Sequence, residues 1–531
     1  MTSDNRISYG GKVNESLDKA RSFGEYCYNR LKKLGDSVLF VNGVTSQEVT
    51  ASQLLSQSIR VAECLKHYGV KRGDSISICC ENRVEVAYVM FGIFFVGAKC
   101  FPLNPTYTEG ELLHASSLSQ PKIIFASYQT FDNIKRVAKH QFVEKVLVFG
   151  DECTDSNSFN DFLRNPNVES KKRFYCSPQS MMENISLILC SSGTTGLPKG
   201  VQWSEYSTWF NASFNMLDPI PNECRFSVSP WTHGFGCFTV IRTVVHGIKL
   251  VYLPKFDENT FLSCIEKFNV TTLMVVPPLL VMLSKSSAVK HFNTSSLKYA
   301  ISAAAPLRSE VLNEMRRQIP NLTVRQYYGM SEGGVFTVQT NEFCKSGSVG
   351  ILRSGVYAKV VNIESGELLG KNSPGELLFK GPGLMKGYVG DINSTKSTVD
   401  KDGWLHSGDV GFYDENNEWF IVDRLKELIK YKGFQVPPAE LEALLLSHQS
   451  VKDVGVIGIP DDLAGELPMA FVVRQGSVTE KDIVDFVADR SSPAKRLYGG
   501  VRFVTEIPKN PSGKILRQVL RQMVNQHKSK M

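Results

Sequence analysis

Residues 191–200 read SSGTTGLPKG and directly follow the apolar run ISLILC at 185–190. Gly193 and Gly196 let the backbone turn tightly and bring its N–H groups close to a ligand, which a β-carbon would hinder. Lys199 adds a mobile positive charge. All these groups donate hydrogen bonds or carry positive charge, so the loop suits a polyphosphate, although such a turn taken alone is also typical of a plain surface loop. The hydroxyl donors of the loop are Ser191, Ser192, Thr194 and Thr195.

The sequence around this loop alternates between short apolar runs and longer segments of helical spacing, from Ser37 to about Val422. This alternation is typical of strands and crossover helices in an α/β sheet, and ligands of such sheets bind beyond the carboxyl ends of the strands. The loop at 191–200 is not a Walker A loop, because the G-x-x-x-x-G-K-[ST] spacing is absent. The pattern nevertheless predicts a ligand site at this position.

The chain divides into two predicted domains. Its 531 residues exceed the roughly 250 to 300 at which one hydrophobic core stops growing. After about Arg424 the helix and strand units become short: Pro437-Pro438 begins a helix, and a capping box at 479–482 begins another. We predict a large multi-layer α/β domain at 1–423, which binds the ligands, and a small mobile α+β domain at 424–531.

Composition indicates a soluble globular protein, with 42% hydrophobic and 21% charged residues. The net charge of +7 arises from 60 basic and 53 acidic residues without a long run of one sign, so we expect no nucleic-acid partner. The twelve cysteines lack a C-x-x-C pair and favour reduced thiols in an intracellular compartment. The longest apolar stretch, 86–98, is shorter than the roughly 20 residues of a membrane span and predicts a buried helix.

The two ends of the chain bear on targeting. The N-terminus is polar and lacks the apolar region of a signal peptide. The C-terminal tripeptide Ser529-Lys530-Met531 differs by one residue from the S-K-L sequence that the peroxisomal import receptor binds. We therefore expect a peroxisomal protein, with the cytoplasm as the alternative.

The ten residues at 191–200 match the phosphate-binding signature of the adenylate-forming superfamily, which contains acyl-CoA synthetases and beetle luciferases. Further motifs follow in that superfamily's order, and the resemblance extends from about residue 20 to the C-terminus. The chain most resembles the beetle-luciferase-like insect acyl-CoA ligases. The resemblance implies a monomeric enzyme that uses ATP, Mg²⁺ and coenzyme A on a small-molecule carboxylate.

The nucleotide site follows from this resemblance. YYGMSE at 327–332 resembles the second signature, and SAAAPL at 302–307 resembles the segment along which adenine and the acyl group lie. A carboxylate suits a ribose diol because it only accepts hydrogen bonds. The implied nucleotide and metal residues are Ala304, Tyr328 and Gly329 for adenine, Ser331 for phosphate, Asp409 and Arg424 for ribose, and Glu332 with Thr195 for Mg²⁺.

Two lysines match the catalytic lysines of the superfamily. Lys514, in IPKNPSGKI, resembles the lysine of the adenylation step, and Lys430 resembles the lysine of the second half-reaction. Rotation of the small domain about a hinge at 423–426 presents one lysine or the other. Gly433 and Gln435 match the loop that faces the active site after this rotation.

The acyl pocket includes His233 and Phe235 in SPWTHGFGCFTV, by resemblance. Asn211 stands where beetle luciferases carry an arginine, and Val335 and Phe336 replace small residues after Glu332. Alanines at 303 and 304 replace the glycine that is usual in this segment. The resemblance also places Ser302 and Ala303 along the acyl group. The differences from beetle luciferases argue against beetle luciferin as the substrate and favour a medium- or long-chain fatty acid. The alternative is a luciferase that adenylates another luciferin and oxidises it with O₂, in which case His233 serves the oxidation.

Two alternatives from other classes remain open. Residues 329–333 fit the G-x-S-x-G nucleophile elbow of α/β-hydrolases, with His406 or His448 as a base. A non-catalytic binding module with the same fold would show no carboxylate-dependent exchange of ATP with pyrophosphate.

Overall fold

The computed structural model describes most of the chain. The described residues are 6–13, 20–140, 142–150, 157–165, 176–177, 180–191, 198–215, 217–303, 307, 309–432, 434–509 and 513–528. The strands are β1 (Ser8–Tyr9), β2 (Val38–Asn42), β3 (Glu48–Thr50), β4 (Ser75–Cys79), β5 (Lys99–Pro102), β6 (Ile123–Ser127), β7 (Lys145–Phe149), β8 (Ile185–Ser191), β9 (Lys199–Ser204), β10 (Cys224–Ser227), β11 (Lys249–Tyr252), β12 (Thr272–Val275), β13 (Tyr299–Ser302), β14 (Thr323–Met330), β15 (Gly334–Val338), β16 (Ile351–Leu352), β17 (Tyr357–Val361), β18 (Leu368–Leu369), β19 (Gly375–Lys380), β20 (Gly387–Tyr388), β21 (Leu405–Tyr413), β22 (Trp419–Arg424), β23 (Ile429–Tyr431), β24 (Phe434–Val436), β25 (Val451–Asp461), β26 (Gly465–Arg474) and β27 (Val501–Phe503).

The helices are α1 (Phe23–Leu34), α2 (Ala51–His67), α3 (Val84–Val96), α4 (Glu109–Ser119), α5 (Tyr128–Lys139), α6 (Phe159–Arg164), α7 (Glu205–Ser213), α8 (Gly234–His246), α9 (Glu258–Lys267), α10 (Pro277–Lys285), α11 (Ser309–Gln318), α12 (Ile392–Thr398), α13 (Pro438–Leu446), α14 (Glu480–Ala488) and α15 (Arg517–Lys528). Two 3₁₀ turns span Ser287–His291 and Pro493–Lys495.

Two largely parallel sheets form the body of the N-terminal part. One has the order β16-β15-β14-β13-β12-β10-β11-β2-β3, with a parallel centre from β14 to β2. The other has the order β20-β9-β8-β5-β4-β6-β7 and is parallel from β8 to β7. Residues of α1, α2, α3, α7 and α8 join strands of both sheets in one hydrophobic core. The predicted strand and helix alternation therefore produces a layered α/β domain.

All but the last two residues of the apolar stretch at 86–98 lie in α3, which is almost completely buried and is followed by Gly97 in the left-handed conformation (φ 80°). A helix that is apolar on all sides packs inside a large domain when it is too short to cross a bilayer. Within the described ranges, no helix combines the length and hydropathy required for a membrane span. The prediction of a buried helix is confirmed.

The C-terminal part contains the five-stranded sheet β24-β23-β26-β25, with β27 beside β26. Helix α13 begins at the predicted prolines, and α14 begins with the predicted capping box, in which Thr479 and Asp482 exchange hydrogen bonds. A separate antiparallel sheet of β1, β17, β18, β19, β21 and β22 precedes this part. The fold confirms the predicted class of a large α/β domain followed by a small α+β domain, whereas the boundary at 423/424 stays a prediction.

Candidate active site

Three of the sequence-predicted nucleotide residues form one contact cluster. Antiparallel pairing of β21 with β22 places Asp409 opposite Arg424, and Arg424 Nε lies 3.2 Å from Asp409 Oδ1. The hydroxyl of Tyr328, on β14, donates to Asp409 Oδ2 at 2.6 Å. Two sheets therefore contribute to a single polar site.

The environment of Asp409 is suited to a ligand that donates hydrogen bonds. Its side chain is buried, and this burial raises its pKa, whereas Arg424, the Tyr328 hydroxyl and Lys514 act in the opposite direction. Among the described residues, Oδ1 accepts no hydrogen bond, although Arg424 lies beside it. A buried acceptor without a donor costs free energy until a ligand supplies one.

A second cluster connects Glu332 with Lys199 through Tyr388. The Tyr388 hydroxyl donates to Glu332 Oε1 at 2.9 Å, and Lys199 Nζ lies 4.8 Å from the centre of the Tyr388 ring. Lys199 also pairs with Asp391 at 3.4 Å. Burial raises the pKa of Glu332, which makes no ion pair with another described residue. Sequence reasoning missed Tyr388, because only the pairing of β20 with β9 brings it beside these residues.

The two ends of the opening loop lie side by side, since Ser191 pairs with Lys199 across β8 and β9. The remaining predicted loop residues, Ser192, Gly193, Thr194, Thr195 and Gly196, lie outside the described residues, as do Ala304, Gly433 and Ser529-Lys530-Met531.

The loop that carries Lys514 packs against the N-terminal part. Gly513 has φ 83°, and a β-carbon there would lie 2.3 Å from Pro278 Cγ, at the start of α10. Partial burial and the charge of Arg424 lower the pKa of Lys514 to about 8, whereas Glu427 and Asp409 oppose this change. Lys514 is thus electrostatically coupled to the Asp409–Arg424 pair.

Lys430 has different surroundings from Lys514. It is exposed on β23, and its N–H donates to Glu466 Oε2 at 2.8 Å. With the exposed Phe434 and Gln435 it lines a cavity of about 450 Å³. Lys514, predicted for the adenylation step, and Lys430, predicted for the second half-reaction, therefore lie in different environments in this conformation.

An apolar cluster around Phe235 contains part of the predicted acyl pocket. We call it the Phe235 cluster, and it comprises Leu217, Met274, Ile301, Ala303, Tyr327, Val335 and Val338, with Phe214, Ile220, Phe235 and Tyr299 at its margin. Ser302 is buried beside Ala303 at the end of β13. His233 is the N-cap of α8. Its side chain is accessible to solvent, yet enough protein atoms surround the imidazole that desolvation lowers its pKa.

Two predicted pocket residues lie outside the Phe235 cluster. Asn211 is buried and hydrogen-bonded on both sides, donating to the carbonyls of Ser207 and Gly383 and accepting from Arg353 Nη1 at 3.1 Å. Phe336 stacks on Phe379 with ring centres 4.1 Å apart, in the core beneath β19. Both side chains therefore support the structure around the site.

Ser331 lies in the turn between the antiparallel strands β14 and β15. A nucleophile elbow requires a strand followed by a helix. His406 contacts Glu376, and His448 packs on Phe486 in the small domain. The hydrolase alternative is therefore wrong.

The profile of the AMP-binding enzyme family matches residues 28–389, and that of the AMP-binding enzyme C-terminal domain matches 440–514. The chain belongs to the adenylate-forming AMP-binding enzymes. The resemblance to this superfamily is confirmed, and the family includes both CoA ligases and luciferases.

Three known proteins show how this AMP-binding enzyme relates to others. It is 39% identical over 516 residues to luciferin 4-monooxygenase from Nipponoluciola cruciata, and the alignment covers 94% of each chain. It is 35% identical over 522 residues to 4-coumarate–CoA ligase 3 from Oryza sativa subsp. japonica, and the alignment covers 95% of this chain and 92% of the ligase. The crystal structure of ATP-bound MatB from Rhodopseudomonas palustris superposes with a TM-score of 0.86 at 26% identity, over 94% and 99% of the two chains.

Proposed function

We propose that the protein adenylates a carboxylic acid with ATP and transfers the acyl group to coenzyme A, releasing AMP and pyrophosphate. The observation that carries this proposal is the packing of the Lys514 loop on Pro278 of the N-terminal part, where the charges of Asp409 and Arg424 act on the lysine. The apolar Phe235 cluster supports a medium- or long-chain fatty acid as the substrate, because a chain-binding pocket needs apolar walls.

In the first step, a carboxylate oxygen of the acid attacks the α-phosphorus of ATP. A new O–P bond forms, the bond from the α-phosphorus to the oxygen that bridges to the β-phosphorus breaks, and pyrophosphate leaves with the electron pair. Both reactants are anionic, so catalysis consists mainly of positioning and charge compensation. Protonated Lys514 lies between the two anions, Lys199 holds the phosphates, and Asp409 accepts hydrogen bonds from the ribose hydroxyls.

Glu332 suits a Mg²⁺ ion, because it is a carboxylate whose pKa is raised by burial and which makes no ion pair with another described residue. A bound Mg²⁺ neutralises phosphate charge and takes most of its ligands from phosphate and water. The described residues contain no cluster of three acidic, histidine or cysteine side chains around a common point. Glu332, together with Thr195 of the loop at 191–200, is the protein contribution that the sequence predicts.

In the second step, the small domain rotates about 423–426 and brings Lys430 and Gln435 to the adenylate. The thiol sulfur of coenzyme A attacks the acyl carbonyl carbon, the carbon–oxygen bond to AMP breaks, and the thiol proton leaves to a base. Water accepts this proton, and His233 borders the entry of coenzyme A, as the resemblance implies. The cavity that Lys430 and Phe434 line supports the role of Lys430 in this step, because it leaves this face of the small domain open in the present conformation.

The second candidate is a luciferase, favoured by the 39% identity to luciferin 4-monooxygenase. It shares the adenylation step and replaces the thiol by O₂. Light emission with ATP, Mg²⁺ and candidate luciferins would identify it, and thioester formation without light supports the ligase.

Exchange of labelled pyrophosphate into ATP, screened over a panel of carboxylic acids, tests the proposed function. We expect exchange only when an acid is present, with saturated fatty acids of 8 to about 18 carbons among the substrates. Mass spectrometry then detects the acyl-CoA after coenzyme A is added. A folded protein that shows no acid-dependent exchange contradicts the proposal.

The pH dependence of adenylation reports on Lys514. Its lowered pKa of about 8 means that the cation is present below pH 8 and is lost as the pH rises through this value. We expect kcat/KM for ATP in the exchange assay to fall above pH 8, since this parameter follows the free enzyme. In Lys514→Arg the side chain stays charged, so this fall should disappear even if the absolute rate is lower. An unchanged profile in the arginine variant contradicts the assignment.

Asp409→Asn tests the ribose contact. The substitution keeps the shape of the side chain but removes its charge and replaces one acceptor by a donor. We expect the KM for ATP to rise about 10- to 100-fold, because a buried ligand hydroxyl loses its acceptor. Wild-type protein should discriminate against 2′,3′-dideoxy-ATP, and the variant should not. Equal discrimination by both proteins would place the ribose elsewhere, and thermal melting controls for folding.

A further inference from the structure

Tyr327 and Tyr328 are neighbours on β14, and their side chains point to opposite faces of the strand. Tyr328 contacts Asp409, whereas Tyr327 enters the Phe235 cluster, with its ring centre 6.2 Å from that of Phe235. This opposite placement follows from the alternation of side chains along a strand. Tyr327 is thus an acyl-side residue next to a nucleotide-side residue.

The Tyr327 hydroxyl at this cluster lacks a hydrogen-bond partner. Tyr327 is 6% exposed, and its hydroxyl has no partner within the described part of the chain. The Phe235 cluster around it is otherwise apolar. A buried hydroxyl without a partner costs about 1–3 kcal/mol, and such groups are rare in native proteins.

Arg242 adds a buried positive charge near Tyr327. It follows Phe235 by seven positions on α8, on the same face, and is 3% exposed. Its Nη2 donates to the carbonyl of Asn211 at 2.8 Å, near the end of α7, but it forms no ion pair within the described ranges. Nearby Arg225, by contrast, is paired with Glu223 at 2.7 Å.

The charge of Arg242 acts on Tyr327. It favours the ionised phenol, against the burial that raises the pKa of Tyr327. The hydroxyl stays protonated at neutral pH and, beside a positive charge, becomes a stronger hydrogen-bond donor. A ligand atom that meets it should therefore be an acceptor oxygen.

We propose that the preferred acid carries a hydroxyl or keto oxygen at the point where its chain passes Tyr327. The Tyr327 hydroxyl donates to this oxygen. The aliphatic members of the Phe235 cluster contact the methylene groups on either side. This inference rests on the proposed function and narrows its substrate class from fatty acids in general to oxygenated ones.

The test measures pyrophosphate exchange with acids of one chain length. The panel contains the unsubstituted acid and its hydroxy and keto derivatives at each successive carbon. For wild-type protein we expect one position at which an oxygenated acid exceeds the unsubstituted acid about 10-fold or more in kcat/KM, because a site built to hydrogen-bond a substrate rejects the analogue that lacks the group. The hydroxy and keto series show which oxygen it is.

Tyr327→Phe and Tyr299→Phe are the matched variants. Tyr299 lies at the margin of the same cluster, so its variant removes a hydroxyl without removing the proposed donor. We expect Tyr327→Phe to reduce the preference to about twofold or less and to improve use of the unsubstituted acid, whereas Tyr299→Phe keeps the preference. A wild-type protein that uses the unsubstituted acid best, or a Tyr327→Phe variant that keeps the preference, overturns the inference alone. Absence of exchange with every acid overturns the proposed function as well.

Discussion

Replacing Lys514 by alanine should lower acid-dependent pyrophosphate exchange by about 100- to 1,000-fold, the usual effect of losing one preorganised electrostatic group. The charges of Asp409 and Arg424 act on Lys514, and in the proposed mechanism the positive charge of this lysine offsets the repulsion between carboxylate and phosphate. Thioester formation from supplied acyl adenylate should be nearly unchanged. Both rates are measured on the same folded preparation.

Lys430→Ala is the matched control, because it also removes one lysine from the small domain. Lys430 is exposed, and the cavity that it lines includes neither Asp409 nor Arg424 in this conformation. We expect exchange to be retained and thioester formation to fall. Equal loss of both steps in both variants would contradict the division of labour between the two lysines.

Replacing Arg517 by methionine should destabilise the small domain by about 3–5 kcal/mol, because it leaves a buried carboxylate unpaired. Arg517 Nη2 contacts Glu442 Oε1 at 2.7 Å, and Arg517 Nε donates to the carbonyl of Val456 at 3.1 Å. Glu427, just after the predicted hinge, lies 3.9 Å from Arg517. Urea unfolding, followed by circular dichroism, measures the loss.

The double variant Arg517→Met with Glu442→Leu separates charge from packing. It removes both partners of the buried pair, so much of the stability lost in the single variant should return. Because Arg517 begins α15 three residues after Lys514, the single variant should also reduce exchange at temperatures where the domain is folded. A single variant as stable as the wild type would show that the pair makes no net contribution.

Local sequence patterns predicted the elements well. The apolar run at 86–98 became α3, the prolines at 437–438 begin α13, and the capping box at 479–482 begins α14. These features depend on residues within one or two helical turns of each other, so the local spacing of residues in a single sequence is enough to predict them. The motifs of the adenylate-forming superfamily likewise identified Asp409, Arg424 and Tyr328, which the structure brings into one cluster.

Contacts between distant segments were not predictable in this way. Tyr388 reaches Glu332 across 56 positions, and Arg353 reaches Asn211 across 142. The face of β14 that Tyr327 occupies depends on the register with β13 and β15, which no local pattern fixes. For this reason the sequence did not single out Tyr327, and the assignment of Asn211 and Phe336 to the acyl pocket stays a prediction.

We propose that Lys514 and the ribose of ATP occupy one site. Periodate-oxidised ATP carries two ribose aldehydes that form Schiff bases with unprotonated lysines. At pH 8 about half of Lys514 is unprotonated, given its pKa of about 8, whereas an ordinary lysine with a pKa of about 10.4 is almost fully charged. After borohydride reduction and peptide mapping, we expect one main label on Lys514 that excess ATP prevents. Labelling of other lysines without ATP protection, with Lys514 unmodified, would contradict it.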